Sequence, residues 1–572
     1  MKPTPRTELA NAVFQFRKTF YSLAAFSCVI NILALTPALY MLQVYDRVLT
    51  SRNETTLLML TLLVGGLYLL SALLEYARSS VLIRVGNRLD MTLNQRVFTA
   101  AFERNLKVGG ANPSQSLNDL TTVRQFLTGN ALFAFIDTPW TPIYMAVGFL
   151  IHPMLGAIML GGSIVLIFLA YLNNTSTRQP LQDANNAAVA SSHFADNHLR
   201  NAEVIEAMGM LPGLRGRWVK MQSQVLHLQT LASDRGARLS GASRFFRMFL
   251  QSLILGAGAV LVIDGQITAG MMIVCSILMG RALAPVEQVI GAWKTMLSAK
   301  TSYQRLDQLL QSAPPRGETL PLPAPTGHVR VENLFAAAPG QQQPILRGVN
   351  FEVQAGETVG IIGPSAAGKS SLARLLVGVW PPRAGHVRLD GADVYLWNKD
   401  ELGPHMGYLP QDIELFDGTI AENIARFGQA DPNKIIAAAQ QAGVHDMILR
   451  LPKGYDTPLG PGGIALSGGQ KQRLGLARAL YGSPAVVVLD EPNSNLDDVG
   501  ENALLQAVAS LKQNGTTVFL ITHRMNILRA VDKLLVMRDG AVSMFGPRQE
   551  ILQALQQKRQ QSVGHTKPEA LH

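Results

Sequence analysis

The chain has 572 residues, of which 48% are apolar and 16% are charged, and its formal net charge is +10. It is too long for one compact domain, and its long apolar runs exclude an ordinary soluble protein. The basic residues do not form a stripe beside aromatic side chains, so the charge does not indicate a nucleic-acid-binding surface.

Apolar runs of the length that crosses a bilayer fill much of the first 300 residues. They predict six transmembrane helices, at about 20–44, 57–74, 132–151, 154–172, 248–263 and 269–290. The two cysteines, Cys28 and Cys275, lie inside these runs, which argues against a disulfide framework and against a cysteine metal site.

The connections between the predicted spans alternate in length and charge. Those at 76–130 and 173–247 are long and rich in arginine and lysine, whereas the others are short. Basic connections stay on the cytoplasmic side of a membrane, so we expect both termini and both long connections there. The long connections lack proline and glycine over most of their length, which predicts helices that continue beyond the membrane.

A proline-rich stretch at 311–327 predicts a linker between domains. After it, short β-branched runs alternate with helical patterns, which predicts an α/β domain. We therefore expect a transmembrane domain at 1–310, a linker at 311–327, an α/β domain at 328–556 and a flexible tail at 557–572.

The segment GPSAAGKSS lies between an apolar strand and a helical pattern, the setting that the phosphate-binding motif G-x-x-x-x-G-K-S/T requires. An ordinary glycine turn does not require that setting. Backbone amides of such a loop wrap the β- and γ-phosphates, Lys369 supplies a positive charge and Ser370 can coordinate Mg²⁺. The predicted phosphate-binding residues are Gly363, Pro364, Ser365, Ala366, Ala367, Gly368, Lys369, Ser370 and Ser371.

Two acids end the apolar run AVVVLDEP at 485–492. Alone, such a pair indicates a solvated strand end. Together with the phosphate loop, the pattern predicts that Asp490 holds the Mg²⁺ shell and that Glu491 orients and deprotonates the attacking water.

Two adjacent glycines, Gly468 and Gly469, open a predicted helix in the stretch LSGGQ at 466–470. The free amides and the dipole of a helix start favour an anion. A helix start alone is a weak anion site, so we expect a second surface to complete it.

These segments stand in the order that ATP-binding cassette (ABC) exporters show, and the chain resembles that family over its whole length. The shared features include Gln411 in YLPQD, SNLD at 494–497 and His523 in ITHR. The resemblance implies an α-helical six-span transmembrane domain (the exporter-type, type IV ABC fold) plus an α/β P-loop nucleotide-binding domain. It also implies an ATPase that uses ATP and Mg²⁺.

The resemblance further implies that two cassettes pair head to tail, so that the LSGGQ stretch of one subunit closes over the γ-phosphate held by the other. The residues of this stretch predicted to bind nucleotide are Ser467, Gly468, Gly469 and Gln470. By the same resemblance, Asp497 lies at the dimer seam and His523 contacts the γ-phosphate. Gln411 binds the Mg²⁺ and water site and links it to the transmembrane helices. Taken alone, His523 and Gln411 would be a strand-end histidine and a surface glutamine.

One departure from the family concerns the adenine. The family often stacks it on a tyrosine just before a proline, but here Ala338 precedes Pro339. Phe335 is the nearest aromatic residue, and the sequence leaves open whether it substitutes.

The membrane half narrows the resemblance. The stretches 35–57 and 135–156 look like the type I protein-secretion ATPases, most closely the alkaline-protease exporter group. This implies a homodimer in the bacterial inner membrane that exports an unfolded protein with an uncleaved C-terminal signal, for example an RTX-type protease. The implied partners are a periplasmic membrane-fusion adaptor, an outer-membrane channel, the secreted protein and membrane lipid, with no nucleic acid.

Other functions share parts of this pattern. A lipid or small-molecule exporter, or flippase, has every cassette motif, and only the membrane half argues against it. An ATP-gated channel or regulator is disfavoured because Glu491 and LSGGQ are intact. Asp137, with Pro139 and Pro142, either lines the translocation path or marks a kinked helix at the cytoplasmic boundary, and Arg281 and Glu287 either line the path or lie where their helix leaves the membrane.

Overall fold

The computed structural model describes residues 7–108, 113–199, 201–315, 321–460 and 466–564. These residues form two compact units, the first taking in most residues up to Pro314 and the second those from Pro315 onward together with the end of helix Glu54–Val108 from Phe102.

The first unit is helical in the part of the chain that the structure describes. Its α-helices are α1 (Glu8–Phe14), α2 (Arg17–Leu33), α3 (Thr36–Gln43), α4 (Leu49–Ser51), α5 (Glu54–Val108), α6 (Pro113–Thr128), α7 (Asn130–Asp137), α8 (Thr141–Ile151), α9 (Pro153–Leu199), α10 (Ala202–Ala207), α11 (Leu211–Ile263) and α12 (Ala269–Ser312). A π-helical turn, Val44–Val48, joins α3 to α4, and a 3-10 turn, Thr138–Trp140, joins α7 to α8.

Six segments among the described residues are long and apolar enough to cross a membrane, as the sequence predicts. They are Arg17–Ser51, Glu54–Val108, Ala131–Ile151, Pro153–Leu199, Leu211–Ile263 and Ala269–Ser312. Many large apolar side chains on these segments stay exposed, among them Leu69 on α5, Leu150 on α8 and Ile263 on α11. Such a surface suits contact with lipid rather than with water.

Four of these helices extend far beyond a bilayer. α5, α9, α11 and α12 have 55, 47, 53 and 44 residues, so each is roughly 65–80 Å long at 1.5 Å per residue. The hydrocarbon core of a bilayer is only about 30 Å thick. The long basic connections are thus helical continuations of the spans, which confirms the expectation from sequence.

α9 stays helical through a proline in its interior, Pro180. Proline has no amide hydrogen, so the carbonyl of Ser176, four residues earlier, loses its helical partner. Arg235 on α11 replaces that donor, because its Nη1 donates to the Ser176 carbonyl at 3.2 Å. The neighbouring helix therefore satisfies the carbonyl that proline leaves without a partner.

The second unit is an α/β domain. Its strands are β1 (Val329–Ala336), β2 (Leu346–Val353), β3 (Thr358–Ile362), β4 (Ala384–Leu389), β5 (Ala392–Asp393), β6 (Met406–Leu409), β7 (Gly418–Thr419), β8 (Pro458–Leu459), β9 (Val486–Asp490), β10 (Thr517–Ile521), β11 (Lys533–Arg538) and β12 (Ala541–Pro547). Its α-helices are α13 (Lys369–Leu376), α14 (Lys399–Leu402), α15 (Ile420–Ile424), α16 (Pro432–Gln441), α17 (His445–Leu449), α18 (Gly468–Leu480), α19 (Asp498–Gln513) and α20 (Arg548–Gly564). Short 3-10 turns occur at Gly403–His405, Gly454–Asp456 and Ile527–Ala530.

The main sheet has the strand order β12-β11-β3-β10-β9-β6 among the described residues. The β12-β11 pair is antiparallel, and the other pairs are parallel. Successive side chains of β9 enter two different cores: Val486 and Val488 join one, whereas Val487 and Leu489 join the other. Both faces of the sheet are therefore covered, which explains why its strands read as continuous apolar runs.

A second sheet, with the order β2-β1-β4-β5, is antiparallel. At the C-terminal end, α20 continues to Gly564, past the expected domain limit at residue 556. Residues 565–572 of the expected tail and residues 316–320 of the expected linker lie outside the described residues.

Candidate active site

Four parallel strands of the main sheet end side by side, and the predicted motifs follow their carboxyl ends. β3 leads into the glycine-rich loop, β9 ends at Asp490, β10 leads to His523 and β6 leads to Gln411. Ligands of open α/β sheets bind outside the carboxyl ends of the strands. The sheet topology thus brings together residues that are up to 160 positions apart.

The glycine-rich loop passes tightly against β11. A Cβ atom at Gly363 would lie 2.3 Å from the carbonyl oxygen of Met537, so a side chain cannot fit at this position. Lys369 opens α13 and is 6% exposed. Its Nζ donates to the carbonyl oxygens of Gly363 and Pro364, both at 2.9 Å, and so lies across the loop.

Burial lowers the pKa of Lys369, while the nearby Glu491 and Asp490 act in the opposite direction. A buried ammonium group favours any anion that replaces its lost hydration. The phosphate groups of a nucleotide would provide that charge next to the amides at the start of α13.

Asp490 is almost completely buried, and its Oδ1 accepts a hydrogen bond from Ser370 Oγ at 3.2 Å. Burial raises the pKa of Asp490, and the bond from Ser370 partly opposes this rise. Mg²⁺ takes oxygen ligands and is usually held by one or two carboxylates together with phosphates and waters. The Ser370 and Asp490 oxygens fit that pattern, and the described residues contain no cluster of three His, Cys, Asp or Glu that would hold a metal alone.

Glu491 is positioned by groups from the ends of two other strands, β10 and β6. Its backbone has a φ of 50°, and its amide donates to the carbonyl of Ile521 at 3.0 Å. Gln411 Nε2 donates to Glu491 Oε2 at 3.3 Å, and His523 Nε2 lies 3.4 Å from Glu491 Oε1. The three residues predicted to be catalytic therefore form one cluster. Positive φ in a residue other than glycine is strained, and such strain concentrates at functional sites.

The LSGGQ stretch forms the capped start of α18. Ser467 Oγ accepts from the Gln470 amide at 3.3 Å, and Gln470 Oε1 accepts from the Ser467 amide at 2.9 Å. Gly468 and Gly469 occupy the first two helical positions, whose amides have no acceptor within the helix. A Cβ atom at Gly469 would lie 2.8 Å from the Asn495 carbonyl oxygen, so the helix start is close to the Asp497 loop.

Asp497 caps α19, since its Oδ1 accepts from the Gly500 amide at 2.9 Å. Phe335, the candidate for stacking on adenine, is a half-buried residue of β1. The adenine role of Phe335, and the seam between two chains at Ser467 and Asp497, stay predictions.

Gln472 is a site residue that the sequence reasoning missed. It is buried in α18, and its Nε2 donates to the Glu491 carbonyl at 3.1 Å and to Ser494 Oγ at 3.2 Å. Its Oε1 accepts from the Asn495 amide at 2.9 Å. The spacing of Gln472 from the buried Leu476 and Ala479 could have placed it on the inner face of the helix.

Arg426 is a second missed residue, and it connects α18 to β6. Its Nε and Nη2 donate to the carbonyls of Arg478 and Ala479, at 2.9 and 3.0 Å, in the last turn of α18. Its Nη1 donates to the carbonyls of Gly403 and Met406, at 2.8 and 3.0 Å. Burial, with repulsion from Arg478, lowers the pKa of Arg426 to about 10, so it is still charged at neutral pH.

In the first unit, Asp137 belongs to a polar network between helices. It pairs with Arg78 at 3.3 Å and accepts from Asn31 Nδ2 at 2.9 Å, while the Tyr144 hydroxyl donates to Asn31 Oδ1 at 3.0 Å. These residues and Arg281 line a cavity of about 720 Å³. Arg78, expected among the basic residues of a connection, is instead buried.

Glu287 pairs with Arg247 at 3.1 Å and is not among the residues that line this cavity. Asp137 lies on the cavity and also ends α7, just before the 3-10 turn that contains Pro139. This break in the helix fits the kinked-helix interpretation, whereas a position at the membrane boundary and a role in translocation stay predictions.

Comparison with known proteins gives matches to both units. Residues 22–286 match the family description "ABC transporter transmembrane region", and residues 346–494 match "ABC transporter". The type I secretion system ATP-binding protein PrsD of Rhizobium meliloti is 46% identical over 95% of this chain and 94% of its own length. The leukotoxin translocation ATP-binding protein LktB of Mannheimia haemolytica is 30% identical over 95% of this chain and 77% of its own.

A solved structure supports the fold. A bacterial Atm1-family ABC exporter with ATP bound superposes with a TM-score of 0.83 over 97% of this chain and 99% of its own, at 22% identity.

Proposed function

Because this chain belongs to the type I secretion ATP-binding proteins of the ABC transporter family, we propose that it exports an unfolded protein with an uncleaved C-terminal secretion signal. It is an ATPase and a multi-pass inner-membrane protein that drives type I secretion. The observation that carries the proposal is the 46% identity to PrsD over 95% of the chain. An RTX-type protease is our proposed example of the exported protein.

We assign the chemistry to the residues at the strand ends. The loop amides, Lys369 and Ser371 bind the β- and γ-phosphates, and Ser370, Gln411 and Asp490 supply oxygen ligands for Mg²⁺. When bound, Mg²⁺ neutralises charge that develops on the phosphates. Glu491 orients the attacking water and accepts its proton.

His523 contributes a contact to the γ-phosphate. Its Nε2 is 3.4 Å from Glu491 Oε1, so the base and the phosphate ligand are neighbours before any nucleotide binds. Gln411 donates to the other oxygen of Glu491. These contacts hold the carboxylate where it can orient a water molecule for in-line attack on the γ-phosphate.

The functional unit that we propose is a homodimer with twelve spans. The amides of Gly468 and Gly469 lack acceptors within their helix. A γ-phosphate held by Lys369 of a second chain would give these amides an acceptor. ATP binding then closes the two cassettes on each other.

We place both termini and the extensions of α5, α9 and α11, which together are rich in arginine, in the cytoplasm, following the positive-inside rule. The partners follow from type I secretion: a periplasmic membrane-fusion adaptor, an outer-membrane channel and the secreted protein. The exposed apolar residues of the six spans contact membrane lipid.

The test compares the culture medium of source cells that carry either the wild-type chain or Glu491→Gln, which binds ATP but lacks the base. We expect a few proteins with intact C-termini to disappear from the medium, as measured by mass spectrometry. Glu550→Gln, an exposed change on α20, is the control and leaves the secreted proteins unchanged. An unchanged set of secreted proteins with altered envelope lipids would instead support a lipid flippase.

A further inference from the structure

The loop that follows β9 carries Glu491, the residue that we assign as the base. Its backbone has a φ of 50°, in the left-handed region, which a residue other than glycine keeps only where its surroundings hold it there. The direction of a side chain depends on the backbone angles of its residue, so these angles also set where the carboxylate points. Whatever holds the main chain at Glu491 therefore aims the base.

The peptide groups on both sides of Glu491 are held by hydrogen bonds. Its amide donates to the Ile521 carbonyl at 3.0 Å, at the end of β10. Its carbonyl accepts from the Ser494 amide at 3.2 Å, within the loop itself, and from Gln472 Nε2 at 3.1 Å. Gln472 thus ties this carbonyl to a different element, helix α18.

The carboxamide of Gln472 is bonded at both ends to the same loop. Its Nε2 also donates to Ser494 Oγ at 3.2 Å, and its Oε1 accepts from the Asn495 amide at 2.9 Å. A carboxamide has two donor hydrogens and one acceptor oxygen, so this side chain uses both donors and accepts as well. Gln472 is only 2% exposed, so it offers almost no surface to a nucleotide. Its hydrogen bonds therefore restrain the loop rather than a ligand.

The contacts of the Glu491 carboxylate are of another kind. Gln411 and His523 reach its two oxygens, and both of these side chains are exposed. Exposed groups beside a carboxylate can change partners when a nucleotide and Mg²⁺ bind, whereas buried, fully bonded groups stay rigid. A second buried hydrogen bond, from Thr522 Oγ1 to Asn493 Oδ1 at 3.0 Å, restrains the loop from the side of β10.

We propose that Gln472 is a positioning residue for ATP hydrolysis: its carboxamide holds the Glu491 main chain in the conformation that aims the carboxylate at the attacking water. This inference rests on the proposed role of Glu491, and it adds a residue that keeps this base in place. Because Gln472 bonds the loop and not the phosphates, its loss should slow the chemical step and leave nucleotide affinity unchanged.

The first measurement is steady-state ATP hydrolysis by the full-length protein in lipid nanodiscs, with rates expressed per nucleotide-binding chain. Gln472→Met keeps the length of the side chain and removes its hydrogen bonds. We expect kcat to fall about 30-fold, with KM for ATP within about twofold of wild type. Gln440→Met, the same change at an exposed glutamine of α16, is the matched control and should leave both constants within about twofold. A kcat close to wild type in Gln472→Met, or a KM raised about tenfold, would overturn the proposal.

A double variant shows whether Gln472 acts through Glu491. Glu491→Gln removes the base, so no carboxylate is left to aim. Adding Gln472→Met to Glu491→Gln should therefore lower the residual single-turnover rate by less than about twofold, although the same change lowers the wild-type rate about 30-fold. If the two losses multiply, Gln472 acts on another part of the site and the assignment is wrong.

Two further measurements separate positioning from folding and binding. Gln472→Glu keeps the shape and the oxygen that accepts from Asn495, but its ionised form has no donor for the Glu491 carbonyl, so kcat at about pH 8 should again fall at least about tenfold. ATP retained on gel filtration by the Glu491→Gln protein should change by less than about twofold when Gln472→Met is added. A loss of the retained ATP would show that Gln472 acts on binding, contrary to the proposal.

The proposed function and the role of Gln472 can fail separately. If Glu491→Gln removes a secreted protein from the medium while Gln472→Met hydrolyses ATP at the wild-type rate, the proposed function stands and the role of Gln472 falls.

Discussion

Two residues of the site that are not glycine, Ala366 and Glu491, have positive φ angles, of 64° and 50°. At Glu491 the strained backbone aims a carboxylate that we assign to catalysis. At Ala366 the methyl group is exposed and has no assigned role. The backbone strain at Glu491 therefore serves the proposed catalysis, whereas the backbone strain at Ala366 should be removable without loss of a side-chain function.

Ala366→Gly should stabilise the nucleotide-free protein by about 0.5 kcal/mol, because relief of the left-handed strain exceeds the entropy that glycine adds to the unfolded chain. Ala367→Gly is the matched control: Ala367 is buried and is not among the residues with positive φ. That change should destabilise by about 1 kcal/mol. Thermal unfolding in detergent measures both, and an Ala366→Gly protein less stable than wild type would contradict the argument.

Asp490→Asn should raise the melting temperature of the nucleotide-free protein and lower ATP hydrolysis about 100-fold or more. Burial raises the pKa of Asp490 above its ordinary value, so its ionised form destabilises the fold at neutral pH. This penalty falls as the pH drops through the raised pKa and vanishes below about pH 4, where the carboxyl group is protonated in both states.

The gain in melting temperature from Asp490→Asn should therefore shrink on acidification. Asp412→Asn, at an exposed carboxylate, is the control and should not change the melting temperature. A gain that does not vary with pH would show that ionisation of Asp490 is not its cause.

At the scale of elements, the sequence predicts what depends on neighbours along the chain. The loop from Gly363 to Lys369 and the strand that ends at Asp490 are short patterns with a required local setting, and the structure has both. Arg426 and Arg78 could not be predicted, because their carbonyl and carboxylate partners lie 20 to 59 positions away. Burial of an arginine has no local signal when backbone carbonyls are its partners.

Arg426 should hold the end of α18 to the start of β6. Arg426→Met removes the donors of four hydrogen bonds and should destabilise the protein by about 3 kcal/mol, whereas Arg426→Lys keeps part of them and should cost about 1–2 kcal/mol. Arg450→Met, at an exposed position, should change stability by less than about 0.5 kcal/mol. Thermal unfolding at pH 7 compares the three, and equal effects at positions 426 and 450 would refute the role.

At the scale of the whole molecule, the proposed active site belongs to two chains. Lys369 and Glu491 lie at the strand ends of one cassette. In the proposed dimer, the amides of Gly468 and Gly469 bind the γ-phosphate that the other cassette holds. The sequence could suggest this division only through the family resemblance. The free amides at the start of α18 show why a second chain would be needed.

In a Glu491→Gln background, ATP should be trapped and should survive gel filtration with the protein. Adding Ser467→Arg should reduce the trapped ATP about tenfold or more, because its bulk fills the space in front of the helix start and the N-cap hydrogen bond to the Gln470 amide is lost. Lys369→Ala should do the same by removing the charge of the loop.

Co-expression of these two chains gives the decisive measurement. In a mixed pair, Lys369 of the Ser467→Arg chain and Ser467 of the Lys369→Ala chain form one intact site. The mixed pair should therefore trap one nucleotide per two chains. No recovery in the mixed pair would place both residues in the same chain's site.

The contact between Arg235 and the Ser176 carbonyl also has a mechanical consequence. A helix bends most easily where one of its backbone hydrogen bonds is missing. At Pro180 the replacement hydrogen bond comes from the neighbouring helix, α11. α9 and α11 should therefore bend together at the level of Pro180, because the hydrogen bond from Arg235 joins them there. Arg235→Ala removes this hydrogen bond, and α9 could then bend at Pro180 without α11.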